Sequence, residues 1–251
     1  MASIDLNCDM GESFGAWSMG DDAQVMPWIT SANIACGFHA GDFGTMRASV
    51  ALALQHGVAI GAHVSLPDLQ GFGRRELRVS ADEAYALTLY QIGALAGFAR
   101  AAGGRVGHVK PHGALYNMAA RDAALAAAIA RAVRDFDAQL ILVGLAGSAL
   151  PQAGAAVGLR VAHEAFADRR YERDGSLTPR REAGAVLDDI ESALTQAVNI
   201  CTSGQVDTRD GGTLALRADT LCVHGDRPDA AVFTRRLRQT LESAGVAVSP
   251  L

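Results

Sequence analysis

Along all 251 residues, short apolar runs alternate with longer amphipathic stretches, and this alternation constrains the fold most. Strand-like runs fall at 4–8, 32–36, 58–62, 106–109, 140–143, 159–162 and 220–223. Helix-like stretches fall at 45–56, 80–102, 119–136, 187–200 and 228–244. Ser80 and Glu83 have capping-box spacing, and Pro228 suits a first helical turn. The uncharged stretch 138–159 is broken by Pro151 and several glycines, so it reads as a strand, a loop and a short helix. Strands alternating with helices imply a parallel sheet covered by helices. No composition break or linker interrupts the pattern, so the expectation is one catalytic domain over residues 1–251.

The polar residues that follow the strand runs refine this α/β reading. Asp9 and Glu12 follow the first run, His39 and Asp42 the second, and His63 the third. Lys110 and His112 follow the fourth, Glu164 and Asp168 the sixth, and His224 and Asp226 the seventh. A (β/α) barrel gathers its strand ends into one site, whereas a doubly wound sheet concentrates function at a switch point. Contributions from nearly every strand therefore favour a single-domain (β/α) barrel, distorted or seven-stranded.

Charge and motifs exclude several functions. The net charge of −5 speaks against nucleic-acid binding. Four dispersed cysteines do not suggest a disulfide scaffold or zinc ribbon. The first residues carry neither a basic nor an apolar leader, and no stretch suits a membrane span. A cytoplasmic protein is the expectation. No phosphate-binding G-x-x-x-x-G-K-[ST], dinucleotide G-x-G-x-x-G or G-x-S-x-G elbow occurs at a matching position.

Five segments carry possible chemistry. In DLNCDMGE from Asp5, the residues Asp5, Asn7 and Asp9 share one strand face, where acids need donors or a cation. His39, between Gly37 and Gly41, and His63, beside Gly61, suggest an acid/base or metal site. Lys110 is the only lysine beside 21 arginines; with Pro111 and His112 next to it, it reads as a base, clamp or nucleophile. His108, ahead of that turn, reads as structural. The loops 66–78 and 164–180 offer Arg74, Arg169, Arg170 and Arg180 for a carboxylate.

The segments DLNCDMGESFG, IACGFHAGD, GAHVSLPDLQGFGRR, VKPHGALYN and FADRRYERDGSLTPR, in this order, resemble the LamB/YcsF family. The resemblance implies a glycoside hydrolase/deacetylase-type barrel. It also implies ATP-dependent opening of 5-oxoproline to L-glutamate. ATP would be bound with or by companion 5-oxoprolinase subunits B and C. On that reading Asp9, with Glu12 and His112 as alternatives, is the general base, and Lys110 stabilises the developing oxyanion. Asn7, His39 and His63 meet the substrate, and Arg74, Arg169, Arg170 or Arg180 holds its carboxylate. The related deacetylases imply a divalent metal on Asp5 or Asp9 with His39 and His63, although their H-x-x-x-H spacing is absent. The alternatives are a stand-alone metal-dependent deacetylase or amidase, and a non-catalytic substrate-presenting subunit.

Overall fold

A computed structural model describes residues 2–187, 189–223 and 229–251; His224, Asp226 and Pro228 lie outside the described residues. The barrel strands are β1 (Ser3–Met10), β2 (Ser31–Ala35), β3 (Ala59–Val64), β4 (Val106–Pro111), β5 (Ile141–Leu145) and β6 (Arg160–Phe166). A small antiparallel pair, β7 (Gln205–Asp207) and β8 (Thr213–Ala215), precedes the last barrel strand, β9 (Thr220–Val223). β9 pairs in parallel with both β6 and β1, which closes a seven-stranded barrel. The short β10 (Ala247–Val248) adds to the start of β1, outside the ring. All seven strand ends therefore emerge at one mouth, as the strand-end pattern requires.

The helices are α1 (Asp22–Val25), α2 (Phe43–His56), α3 (Ala81–Ala101), α4 (Gly113–Arg121), α5 (Ala123–Phe136), α6 (Ala149–Ala156), α7 (Ile190–Ser203) and α8 (Ala230–Ser243). The Ser80–Glu83 capping box starts α3 as expected. The expected single helix over 119–136 is two. Asp122 adopts an extended backbone, and its carboxylate accepts the N–H groups of Ala124 and Leu125, ending α4 and capping α5. α4 itself starts at Gly113, straight after β4, so the chain turns over the mouth just past Lys110 and His112.

Strand alternation separates two interiors. On β1, Ile4, Leu6, Cys8 and Met10 join the main apolar core, while Asp5, Asn7 and Asp9 point into the barrel. Asp5 is satisfied there by three hydroxyls: Thr30 at 2.7 Å, Ser31 at 2.6 Å and Thr220 at 2.5 Å. Burial raises its pKa; the hydroxyls oppose this and the Glu164 charge adds to it. Gly61 is required by a neighbour, because a Cβ there would stand 1.9 Å from Nε2 of His108. The vacated space lets His108 cross the barrel and donate to Asn33 Oδ1 at 2.8 Å.

Candidate active site

At the centre of the mouth, Lys110 is buried, with 3% of its surface exposed. Its Nζ lies 2.7 Å from Glu164 Oε1, 3.0 Å from Asn7 Oδ1, 3.0 Å from Asp9 Oδ1 and 3.1 Å from Cys222 Sγ. Burial alone would lower its pKa, but Asp9, Cys222 and Glu164 raise it well above the ordinary lysine value. Lys110 is therefore a fixed cation. Four acceptors surround an ammonium with three N–H groups, so its direct work is to hold Asp9, Asn7 and Glu164.

Asp9 is set by the same network. Its Oδ1 accepts from Lys110 and from Asn33 Nδ2 at 2.9 Å, while Oδ2 lies 3.3 Å from His63 Nε2. Burial would raise its pKa; the His63 and Lys110 charges reverse this and hold the carboxyl well below the usual range. Asp9 is thus an ionised carboxylate with one oxygen pinned inward and the other turned to the histidines.

Three imidazoles meet at the mouth. His39 stacks on His112 with centroids 3.9 Å apart, and His63 stands edge-on to both. Nδ1–H of His63 donates to the Lys110 carbonyl at 2.9 Å, and Nε2–H of His112 donates to the Phe72 carbonyl at 2.9 Å. When both rings are neutral, the remaining nitrogens, His63 Nε2 and His112 Nδ1, carry lone pairs. They face each other at 3.0 Å. Burial, then the His63 charge, lowers His112 to about 3. Burial and the neighbouring rings push His39 well below the ordinary histidine value.

Glu12 completes the group, its Oε1 3.3 Å from His39 Nε2 and 3.9 Å from His112 Nδ1. One ligand atom from each of Glu12, His39, His63 and His112 lies within 4.8 Å of the other three, so the cluster could hold a metal ion. His39 Nδ1 is buried with no hydrogen-bond partner among the described residues. Converging lone pairs, a carboxylate and backbone-locked tautomers form a donor set that fits a divalent cation. This set differs from the one implied by resemblance. His39 and His63 belong to it, Asp9 borders it through His63, and Asp5 is engaged by its three hydroxyls elsewhere in the barrel.

The loop after β3 roofs the cluster. The Phe72 ring lies edge-on to His39 and His112, with centroids 5.6 and 5.1 Å away. Gly73 has φ +63°, and a Cβ there would reach Ser65 Oγ at 2.4 Å and His39 Cβ at 2.7 Å. Asp68, ion-paired to Arg75, accepts the Gly71 N–H, and its carbonyl accepts the Gly73 N–H. Arg74 is exposed, lies 4.9 Å above the Phe72 ring, and its charge lowers both His39 and His112. Among the expected arginines it is the one placed at the histidines. Arg169 is buried and donates to the carbonyls of Thr178 and Ala185, which fixes the long loop. Arg170 joins the same loop through backbone bonds to Ala185 and Thr178, and exposed Arg180 adds its charge near Arg169.

Several participants have no role assigned by the sequence, although Glu164 is among its strand-end residues. Glu164 is on β6 rather than in the loop after it, and binds Lys110 across the barrel. Asn33 and Cys222 point inward from β2 and β9. Their only signal is a polar or thiol residue within an otherwise apolar strand.

The LamB/YcsF family profile matches residues 4–251. The chain is 61% identical to the A-type subunit of 5-oxoprolinase from Bordetella pertussis over 246 residues, covering 98% of each chain. It superimposes on the lactam utilization protein of Thermus thermophilus with a TM-score of 0.94 at 49% identity, covering 99% of this chain and 100% of that one. The T48 deacetylase shares only the fold, with a TM-score of 0.52 at 12% identity, covering 99% of this chain and 88% of that one. The chain belongs to the LamB/YcsF family.

Proposed function

We propose that this chain is the lactam-handling subunit of an ATP-dependent 5-oxoprolinase, opening 5-oxo-L-proline to L-glutamate together with subunits B and C. The observation that carries this reading is the roofed Asp9–Lys110–histidine mouth, in a chain 61% identical to the Bordetella pertussis 5-oxoprolinase component. Glu12, His39, His63 and His112 are all at most 8% exposed. So enclosed a site suits a small ring better than a polymer.

The chemistry follows from the amide. Resonance makes a lactam carbonyl a poor electrophile, and transfer of a phosphoryl group from ATP to its oxygen corrects this. Companion subunits supply that transfer, since this chain lacks a phosphate-binding loop at the expected places. Asp9 Oδ2 orients the attacking water and takes its proton. The ring C–N bond then breaks as the nitrogen is protonated, and a second water hydrolyses the resulting acyl phosphate to glutamate and inorganic phosphate. Lys110 keeps Asp9 ionised and fixed, so it acts as a positioning residue rather than by touching the oxyanion. Arg74 holds the substrate carboxylate at the edge of the mouth. A divalent cation held by Glu12, His39, His63 and His112 would supply Lewis-acid polarisation there. The four buried or half-buried free cysteines and the use of ATP agree with a cytoplasmic setting.

The histidine cluster also favours a second reading, a metal-dependent amidase that needs no ATP. Glutamate formation with ATP omitted separates the two: the first requires ATP and both companion subunits, the second neither. Metal analysis after chelation, run beside the assay, tests the cation independently of turnover.

A further inference from the structure

Two buried polar atoms near Lys110 have no hydrogen-bond partner among the described residues: Glu164 Oε2 and the Tyr116 hydroxyl. They come from different elements, β6 and α4, and meet on one side of the mouth. The Tyr116 ring packs edge-on against Phe166, with centroids 6.2 Å apart, and Phe166 is two residues along the strand from Glu164. Lys110 Nζ lies 6.0 Å from the same Phe166 ring. The other oxygen of Glu164 is fully used, accepting from Lys110 and from Asn7 Nδ2 at 3.0 Å. Burial, then the charge and nearness of Glu164, raises the Tyr116 hydroxyl well above its ordinary pKa, so it remains a donor. An acceptor and a donor thus stand side by side and buried, close enough to interact but without a well-formed hydrogen bond between them.

Each unpaired buried group is costly, so such a pair calls for a ligand. A five-membered lactam is held cis and presents its N–H and C=O on the same side. An open-chain secondary amide is trans and presents them on opposite sides. We propose that Glu164 Oε2 and the Tyr116 hydroxyl form a subsite that reads a cis amide, the carboxylate accepting the lactam N–H and the phenol donating to the lactam oxygen. The proposal rests on the lactam reading above and adds its specificity-determining residues. The subsite rejects a lactone, which has no N–H, and an open-chain N-acyl amino acid, which cannot present both groups together. The ring-opened product loses the cis amide and with it both contacts, which favours release.

The test measures binding by calorimetry to the full chain, alone and with subunits B and C. The ligands are 5-oxoproline, its lactone analogue 5-oxotetrahydrofuran-2-carboxylate, and N-acetylalanine. Wild type is expected to prefer the lactam to either analogue by at least about tenfold. Tyr116→Phe should weaken 5-oxoproline about tenfold without lowering the melting temperature, because it removes only an unpaired hydroxyl. Glu164→Gln should keep an oxygen for Lys110 and narrow the lactam–lactone preference. If wild type binds 5-oxoproline but Tyr116→Phe binds it equally well with the same preference, the groups hold only a trapped water and the subsite is overturned. If wild type binds no 5-oxoproline in either mixture, the lactam reading itself fails.

Discussion

Nζ of Lys110 and Oδ1 of Asp9 lie 3.0 Å apart inside the barrel, with Lys110 almost wholly buried. The same ammonium, from the sole lysine of the chain, also holds the Glu164 carboxylate. Removing one partner of such a buried pair is far more damaging than never having built it.

Lys110→Met should therefore abolish glutamate formation and also destabilise the fold by roughly 3–5 kcal/mol, measured by urea denaturation. The double variant Lys110→Met/Glu164→Gln should recover part of that stability and none of the activity. Full stability in the single variant would show that Asp9 and Glu164 are compensated by something else.

The buried His108 predicts an acid-side loss of stability. Burial first, and then the Lys110 and His63 charges, lower its pKa to about 3. In the unfolded chain it titrates near ~6.5. Between those values the unfolded state binds the proton and the folded state does not, so stability falls as pH falls, by roughly 1.4 kcal/mol per pH unit. His108→Gln should reduce that slope between about pH 6 and pH 4. An unchanged slope would show that His108 is protonated in the folded protein.

Gly61→Ala places a methyl group within the His108 ring. It should cost at least about 1–3 kcal/mol. It should also break the His108–Asn33 bond that fixes Asp9. Thermal melting and turnover should fall together; loss of neither would mean that the ring has room to move.

Ser80→Ala serves as a remote control. It removes the hydroxyl that caps α3 through the Glu83 N–H. It should cost about 1 kcal/mol of stability and leave turnover per folded molecule unchanged.

The alternation that predicted the barrel was legible because the barrel strands are buried on both faces and read as short apolar runs, while each helix buries only one stripe. The strand-end rule likewise brought Asp9, Glu12, His39, His63, Lys110 and His112 to one mouth. Pairings across the barrel left no such mark. Glu164 meets Asn7 over 157 positions, and Cys222 meets Lys110 over 112. The break at Asp122 was hidden because alanine-rich sequence on both sides is equally helical, and only the local cap divides it. The acid face of β1 was visible, but not which acids have hydroxyl partners, which is why Asp5 looked as suited to a metal as Asp9.

The most direct test of the central claim is glutamate formation from 5-oxoproline and ATP, with this chain alone, with subunits B and C alone, and with all three. Glutamate only in the complete mixture, lost when Asp9→Asn replaces the wild-type chain, is the predicted result. Glutamate from the complete mixture at an unchanged rate with Asp9→Asn, or none from three folded wild-type proteins, would contradict it.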